Sequence, residues 1–395
     1  MSYDFDKVID RRGTDSMKWN VGEDELPMWV ADMDFETAPA VLDAIRRRTE
    51  HGIFGYTEVS DDWYDAYISW WRNRHHSVIR REELIFSTGV VPIISSVIRK
   101  ITDPADHVAI LTPVYNIFFN SIVNAGRIPE QVPLHYGPDR TYTLDLDRLE
   151  QTLADPKVSM LLFCNPHNPV GKIWDQKTIR WIAEVSQKYG VTVISDEIHG
   201  DLTDPGKEYV SWLSLPEELT SNAIVCLAPT KAFNIAGLQT AGVVVRNSKL
   251  RYRVWRGLNN DEVAEPNAFA VTAAVAAFRE GAEWLDALRS YLYENKQLVK
   301  RVLEQDVKEL KLTESEATYL LWIDCERVET DSRKLAEFLR SETGLYLSHG
   351  SQFGMGGEHF LRLNIACPSV TLKEGLLRLD RGVQKYSEIS GLQRR

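Results

Sequence analysis

Ala223-Ile224-Val225-Cys226-Leu227 is an unbroken apolar run, and it gives way at once to Ala228-Pro229-Thr230-Lys231-Ala232-Phe233-Asn234. Five apolar residues closed by proline and polar residues read as a strand buried on both faces. Lys231 then stands just past the end of that strand. Two upstream runs repeat the pattern. Met160-Leu161-Leu162-Phe163-Cys164 is followed by Asn165-Pro166-His167-Asn168-Pro169-Val170-Gly171. Val191-Thr192-Val193-Ile194 is followed by Ser195-Asp196-Glu197-Ile198-His199. A lysine, an asparagine and a carboxylate each fall where a buried strand ends.

Working outward, short apolar runs alternate with amphipathic stretches from about residue 50 to 280. Ile85-Phe86-Ser87 leads to Gly89 and a helical pattern over Pro92 to Ile101, and Val108-Ala109-Ile110-Leu111 leads to Pro113-Val114-Tyr115. Strands alternating with helices predict an α/β fold with a parallel sheet covered on both faces. Ligands bind such sheets at the carboxyl ends of the strands, where these polar motifs fall. Ala268 to Phe278 reads as a buried helix, and 281–305 as one long amphipathic helix carrying Trp284, Leu285, Leu288, Leu292 and Val299 at helical spacing. Tyr319 to Asp324 and Phe360 to Ile365 read as strands of a smaller α+β unit. Pro39 opens a helix that runs to Arg48 behind an N-terminal arm. The expected division is a large domain over 49–285 and a discontinuous small domain from 1–48 and 286–395.

The chain has 395 residues, 44% of them hydrophobic, and a net charge of −11 with both signs interspersed. A nucleic-acid binder would show a basic patch, so none is expected. No run reaches the roughly 18 apolar residues of a membrane span. The opening Met1-Ser2-Tyr3-Asp4-Phe5-Asp6 has no leader pattern, and a cytoplasmic protein is expected. Cys164, Cys226, Cys325 and Cys367 are too scattered for a zinc site or a disulfide framework. No metal is expected.

A nucleophilic lysine with an acidic partner is the set needed to hold and use pyridoxal 5′-phosphate (PLP). Asp196, at the end of a buried strand, needs a cation to stay ionised. A helix N-cap is its bland alternative, and the company of Lys231 and Asn168 favours the cofactor. Small and apolar neighbours desolvate Lys231 and lower its pKa. Asn168 offers a donor for the cofactor's phenolic oxygen, against the bland reading of an Asn-Pro turn. Gly89, at a strand-to-helix junction, leaves backbone N–H groups for a phosphate. Tyr115 suits stacking on a flat ring. Arg362, inside an apolar run, suits a substrate carboxylate, against an edge-strand arginine facing solvent. His199 is a supporting candidate.

These motifs resemble fold-type I PLP enzymes of the class I/II aminotransferase superfamily, and within it the MalY/PatB group of cystathionine β-lyases, or C–S lyases. Carrying segments run in the family's order from Trp29-Val30-Ala31-Asp32-Met33-Asp34-Phe35 and Phe54-Gly55-Tyr56-Thr57 to Arg362-Leu363-Asn364-Ile365-Ala366-Cys367-Pro368. The resemblance implies a mostly parallel seven-stranded sheet between helices. It gives Lys231 the roles of Schiff-base anchor and proton carrier, with Tyr115 and Asp196 beside it in catalysis. It implies Asn168 on the phenolic oxygen and the amides of Gly89, Val90 and Val91, with Thr230, on the phosphate. His199 would support the cofactor, and Tyr56 would reach the phosphate of the neighbouring subunit in a homodimer. Arg362, Asn168, Tyr115 and Asp32 would hold an amino-acid substrate. The implied reaction is α,β-elimination of L-cystathionine or another cysteine S-conjugate to pyruvate, ammonia and a thiol. An aminotransferase at the same site, and a regulatory protein that binds a transcription activator, are the alternatives. Gln239 stands where many aminotransferases carry an arginine, which favours the lyase. Asn116 and Ile117 depart from the group's Pro-Val-Tyr-Tyr-Pro-Phe, and Lys172 from its arginine.

Overall fold

The computed structural model describes residues 3–391. Met1 and Ser2, at the head of the stretch read for a leader, lie outside the described residues, as do 392–395. In chain order the strands are β1 (Leu26–Pro27), β2 (Leu84–Ser87), β3 (His107–Thr112), β4 (Ile128–Pro133), β5 (His135–Tyr136), β6 (Tyr142–Thr143), β7 (Val158–Cys164) and β8 (Thr192–Asp196). They continue with β9 (Ala223–Leu227), β10 (Ala241–Val244), β11 (Lys311–Leu312), β12 (Leu320–Asp324), β13 (Leu345–Tyr346), β14 (Ser348–His349) and β15 (Phe360–Asn364).

Seven of them form one sheet in the order β2-β10-β9-β8-β7-β3-β4. Its strands are parallel except β10, which runs against both β9 and β2. Each central strand is apolar on both faces because each face has its own core. Along β7, Leu161 and Phe163 pack into one core while Met160, Leu162 and Cys164 pack into the other. Along β9, Ala223, Val225 and Leu227 oppose Ile224 and Cys226 in the same way. This explains the unbroken runs. Strand register sets the height of each strand end. Cys164 pairs with Asp196, and Asp196 with Cys226. The three polar motifs therefore leave the sheet at one level.

The helices α1 (Pro39–Glu50), α2 (Asp61–His75) and α3 (Val90–Ile101) follow. Pro39 opens α1, as its fixed φ permits. The expectation that the next helix begins at Pro92 is corrected: α3 begins at Val90, with Gly89 before it and Pro92 still inside the first turn. There the missing N–H of proline costs nothing. Ala270–Glu280 is the buried helix, and Ala282–Gln305 the long one.

A four-stranded antiparallel sheet, β11-β12-β15-β14, stands apart from the larger one. The short parallel pair of β1 with β13 brings residues near the N terminus to this part of the chain. All four cysteines are free and buried. Among the described residues no helix is long and apolar enough to cross a membrane.

Candidate active site

Asp196 is the last residue of β8 and is 4% exposed. Its carboxylate accepts one hydrogen bond, from the Ile198 N–H at 3.1 Å. Burial pushes its pKa up to about 6, against the pull of the Ile198 amide and the charge of Lys231. Lys231 follows β9 by four residues and donates from Nζ to the Ala31 carbonyl at 2.6 Å. Burial brings its pKa down to about 8, with Asp32 and Asp196 pulling upward and Arg362 downward. An amine in that range is basic enough to take a proton and free enough of its own to act as a nucleophile near neutral pH.

Asn168, 3% exposed, follows β7. Its Oδ1 accepts from Arg362 Nη1 at 3.3 Å, which turns its NH2 group elsewhere. Arg362 lies on β15, between β12 and β14, and is 6% exposed. That position removes the alternative of a solvent-facing edge arginine. Its Nη2 donates to the Trp29 carbonyl at 3.0 Å, and its guanidinium lies 4.8 Å from the centre of the Phe353 ring. Nε is buried without a partner. Burial lowers the Arg362 pKa to about 10, which leaves it a cation at neutral pH.

His199 is buried, and its Nδ1 has no partner. Burial, then the charges of Lys231 and Arg362, lower its pKa to about 3, so it is a neutral imidazole. Tyr115 is part-buried, and burial raises its pKa with Arg362 and Asp196 nearby. Asp32 lies beside the carbonyl that holds Lys231; its Oδ2 accepts from Arg11 Nη2 at 2.8 Å, and its Oδ1 is buried without a partner. Thr230 is 7% exposed and adjoins Lys231.

The remaining expected residues make no hydrogen bond to this cluster among the described residues, although Ser87 at the end of β2 lies nearly level, through β10, with Leu227 at the end of β9. Gly89 precedes α3, whose first turn has no side-chain cap and no acidic residue. Its N–H groups are therefore open to an anion. Among the described residues no hydrogen bond joins Gly89, Val90 or Val91 to Lys231. Tyr56 is 102% exposed, in a loop where Ile53 and Phe54 are also exposed. Gln239 is exposed with φ 54°. Asn116 donates to Gln352 Oε1 at 3.3 Å, beside Phe353.

Several residues that build the site are not singled out by the sequence. Asn234, at φ 54°, accepts from the Met33 N–H at 3.0 Å and donates to the Met33 and Phe35 carbonyls. It staples the Lys231 loop to segment 29–35. Its only sequence signal is an asparagine three residues past the lysine, a type that tolerates the left-handed region. Tyr319 donates to the same Ala31 carbonyl as Lys231, at 3.0 Å. Glu197, buried behind Asp196, accepts from Ser195 Oγ, Ser211 Oγ, Tyr209 OH and the Trp212 N–H. Burial still pushes its pKa up to about 7. Asp201 is held by Trp70 Nε1 and His75 Nε2. At Gly171, φ is +69°, and a Cβ would sit 2.6 Å from Ser315 Cβ and 2.7 Å from the Ala317 carbonyl. Only glycine lets the Asn168 loop pass that close.

The donor set fits PLP: a softened lysine, a buried carboxylate with a single hydrogen bond, and an arginine with an unused N–H. A lysine, a carboxylate and an asparagine at adjoining strand ends of such a sheet define the fold-type I class of PLP enzymes. The chain belongs to the aminotransferase class I and II family, whose sequence pattern matches residues 23–379. It is 37% identical to cystathionine beta-lyase PatB of Bacillus subtilis, over 95% of this chain and 98% of that one. The structure matches cystalysin from Treponema denticola, which contains PLP, with a TM-score of 0.94 at 32% identity, covering 98% of this chain and 100% of that one. It matches the PLP-bound C–S lyase from Staphylococcus hominis with a TM-score of 0.91 at 30% identity, covering 97% and 98%.

Proposed function

We propose that this chain is a PLP-dependent C–S β-lyase that converts L-cystathionine, or another cysteine S-conjugate, to pyruvate, ammonia and a thiol. The observation that carries the reading is the convergence of a softened Lys231 amine with Arg362, whose guanidinium is buried with Nε unused. The similarity to PatB and to the C–S lyase from Staphylococcus hominis supports the leaving group.

Lys231 would hold the cofactor, and Asp196 would supply a negative charge for its pyridine nitrogen. Asn168 would donate to the phenolic oxygen, Tyr115 would offer a ring to stack against it, and His199 would support it as a neutral group. The α3 amides of Gly89, Val90 and Val91, with the Thr230 hydroxyl, take the phosphate at a helix N-terminus. When bound, PLP supplies an electron sink conjugated to the substrate's α-carbon. Arg362 anchors the α-carboxylate by its fork of donors, with Asn168, Tyr115 and Asp32 around the rest of the amino acid. Lys231 removes the α-proton, and a pKa near 8 suits an amine that must both take and return it. The bond from Cβ to sulfur then breaks with its electron pair going to sulfur, the thiolate needs little acid assistance to leave, and the released aminoacrylate takes up water to give pyruvate and ammonia. Tyr56 completes the neighbouring subunit's site in a homodimer, a reading supported by its full exposure with Ile53 and Phe54. We also propose the division into residues 49–285 and residues 1–48 with 286–395, supported by the pairing of β1 with β13. The four free cysteines support a reducing cytoplasmic setting.

The test is turnover of L-cystathionine by the PLP-loaded protein. Pyruvate and thiol released in equal amounts over many turnovers support the lyase. A keto acid formed without thiol would move the assignment to an aminotransferase.

A further inference from the structure

Five consecutive backbone carbonyls, from Trp29 to Met33, are each held by a side chain. Trp29 O accepts from Arg362 and Ser348. Val30 O and Asp32 O accept from Asn364. Ala31 O accepts from Lys231 and Tyr319, and Met33 O from Asn234 and Arg11. Such a segment has little freedom to drift, so the Asp32 Cα–Cβ bond keeps one direction, and Arg11 holds the carboxylate beyond it. That guanidinium bonds Asp32 Oδ2 at 2.8 Å and Asp34 Oδ1 at 2.8 Å, and it donates to Ser16 Oγ and the Met33 carbonyl. Lys18 in turn pairs with Asp34 Oδ2 at 2.8 Å. Asp34 is thus shared between two cations, while Asp32 has one of its oxygens free.

That free oxygen, Oδ1, is buried without a hydrogen bond. A buried carboxylate oxygen left unpaired is costly unless a positive charge lies close. Besides Arg11, the cation that feels the Asp32 charge is Lys231, whose amine rests on the carbonyl of the preceding residue. The charged and titratable groups around Lys231 are Asp32, Arg362, Asp196, Tyr319 and His199. Asp196 is committed to a pyridine nitrogen in the proposed enzyme, and Arg362 to a substrate carboxylate. Asp32 is the charge left to the amine itself.

We propose that Asp32, clamped by Arg11, is a positioning residue that supplies the standing negative charge facing the Lys231 amine and so sets how readily that amine gives up its proton. The inference rests on Lys231 being the working amine of the proposed lyase. It makes the N-terminal arm, through Arg11, part of the site's electrostatics. The favourable effect of Asp32 is the largest charge contribution at Lys231, second only to burial.

The test reads the lysine directly. The cofactor-free full-length protein is labelled with an amine-reactive reagent across a pH series, and the Lys231 peptide is quantified by mass spectrometry. Asp32→Asn keeps the shape and an acceptor for Arg11 but removes the charge. The midpoint of Lys231 labelling is expected to fall by about one pH unit. Starting from a pKa of about 8, that shift makes labelling at pH 7 roughly fivefold faster. Asp32→Glu is expected to return the midpoint toward the wild-type position. Asp32→Ser removes the charge with a smaller group and reads the same shift if the asparagine variant folds poorly. In the PLP-loaded protein, the pH at which the visible band changes is expected to move the same way. An unchanged midpoint in both charge-free variants, with lowered thermal stability, would overturn the proposal and leave Asp32 as an anchor for Arg11 alone. Failure of the wild type to release thiol and pyruvate would sink the lyase assignment without moving this titration, so the two failures are separable.

Discussion

Replacing Arg362 by lysine keeps the charge and removes the fork. In the structure the guanidinium spends Nη1 on Asn168 Oδ1 at 3.3 Å and Nη2 on the Trp29 carbonyl at 3.0 Å, and it lies 4.8 Å over Phe353. A carboxylate entering this site replaces those weaker partners with two parallel charge-assisted bonds. Each such bond is worth about 1.5–3 kcal/mol. An ammonium keeps one of them and has no planar face for Phe353. The expected loss is therefore about 2 kcal/mol of substrate binding, or roughly a 30-fold rise in KM. The carboxylate is held alike in the ground and transition states, so kcat should fall far less. Initial rates of thiol release over a range of L-cystathionine concentrations give both constants. A second substrate with its α-carboxylate converted to the amide sharpens the reading. Wild-type enzyme should discriminate strongly against the amide, and Arg362→Lys weakly. Unchanged KM with full discrimination retained would refute the reasoning and put the carboxylate elsewhere.

Glu197 carries a pH prediction. Its folded pKa, about 7, lies above its ordinary value of 4.5 because of burial. The folded chain therefore keeps a proton that the unfolded chain has already lost, and stability declines as pH rises through that window. The decline from this group is about 3 kcal/mol. Glu197→Gln cannot titrate, so the difference in unfolding free energy between pH 5 and pH 8 should shrink by about that amount in denaturant titrations; an identical slope in the variant would show that Glu197 is ionised throughout. Tyr56 tests the assembly. Tyr56→Ala and Lys231→Ala should each be inactive alone, yet mixing and refolding them together should restore part of the turnover, because a mixed dimer has one site with both native residues. No recovery on mixing would mean that Tyr56 does not act across the interface.

The parts of the site legible in the sequence are those written in local pattern. Apolar runs that end in polar residues mark β7, β8 and β9, because strands buried on both faces show no alternation. Lys231, Asp196 and Asn168 follow from their positions just past those ends. The register that brings them level, Cys164 with Asp196 and Asp196 with Cys226, is a long-range property and leaves no local mark. The same is true of segment 29–33. Its carbonyls are held by Arg362, Asn364, Lys231, Tyr319, Asn234 and Arg11, residues drawn from both ends and the middle of the chain. Arg11 reads as one charge among many in an N-terminal arm. Local pattern starts α3 two residues late because Val90 and Val91 are poor helix formers and Pro92 looks like a first-turn proline. Gly171 reads as a turn residue, whereas the close approach of Ser315 and Ala317 also demands it.

The central claim is that three strand ends converge on Lys231 as the anchor of the cofactor. Reduction of the PLP-loaded protein with borohydride, followed by proteolysis and mass spectrometry, tests it most directly. The reduced cofactor should be recovered on the peptide containing Lys231, and Lys231→Ala should lose both that adduct and the visible band. Recovery of the cofactor on a different lysine, or a band that survives in Lys231→Ala, would contradict the account.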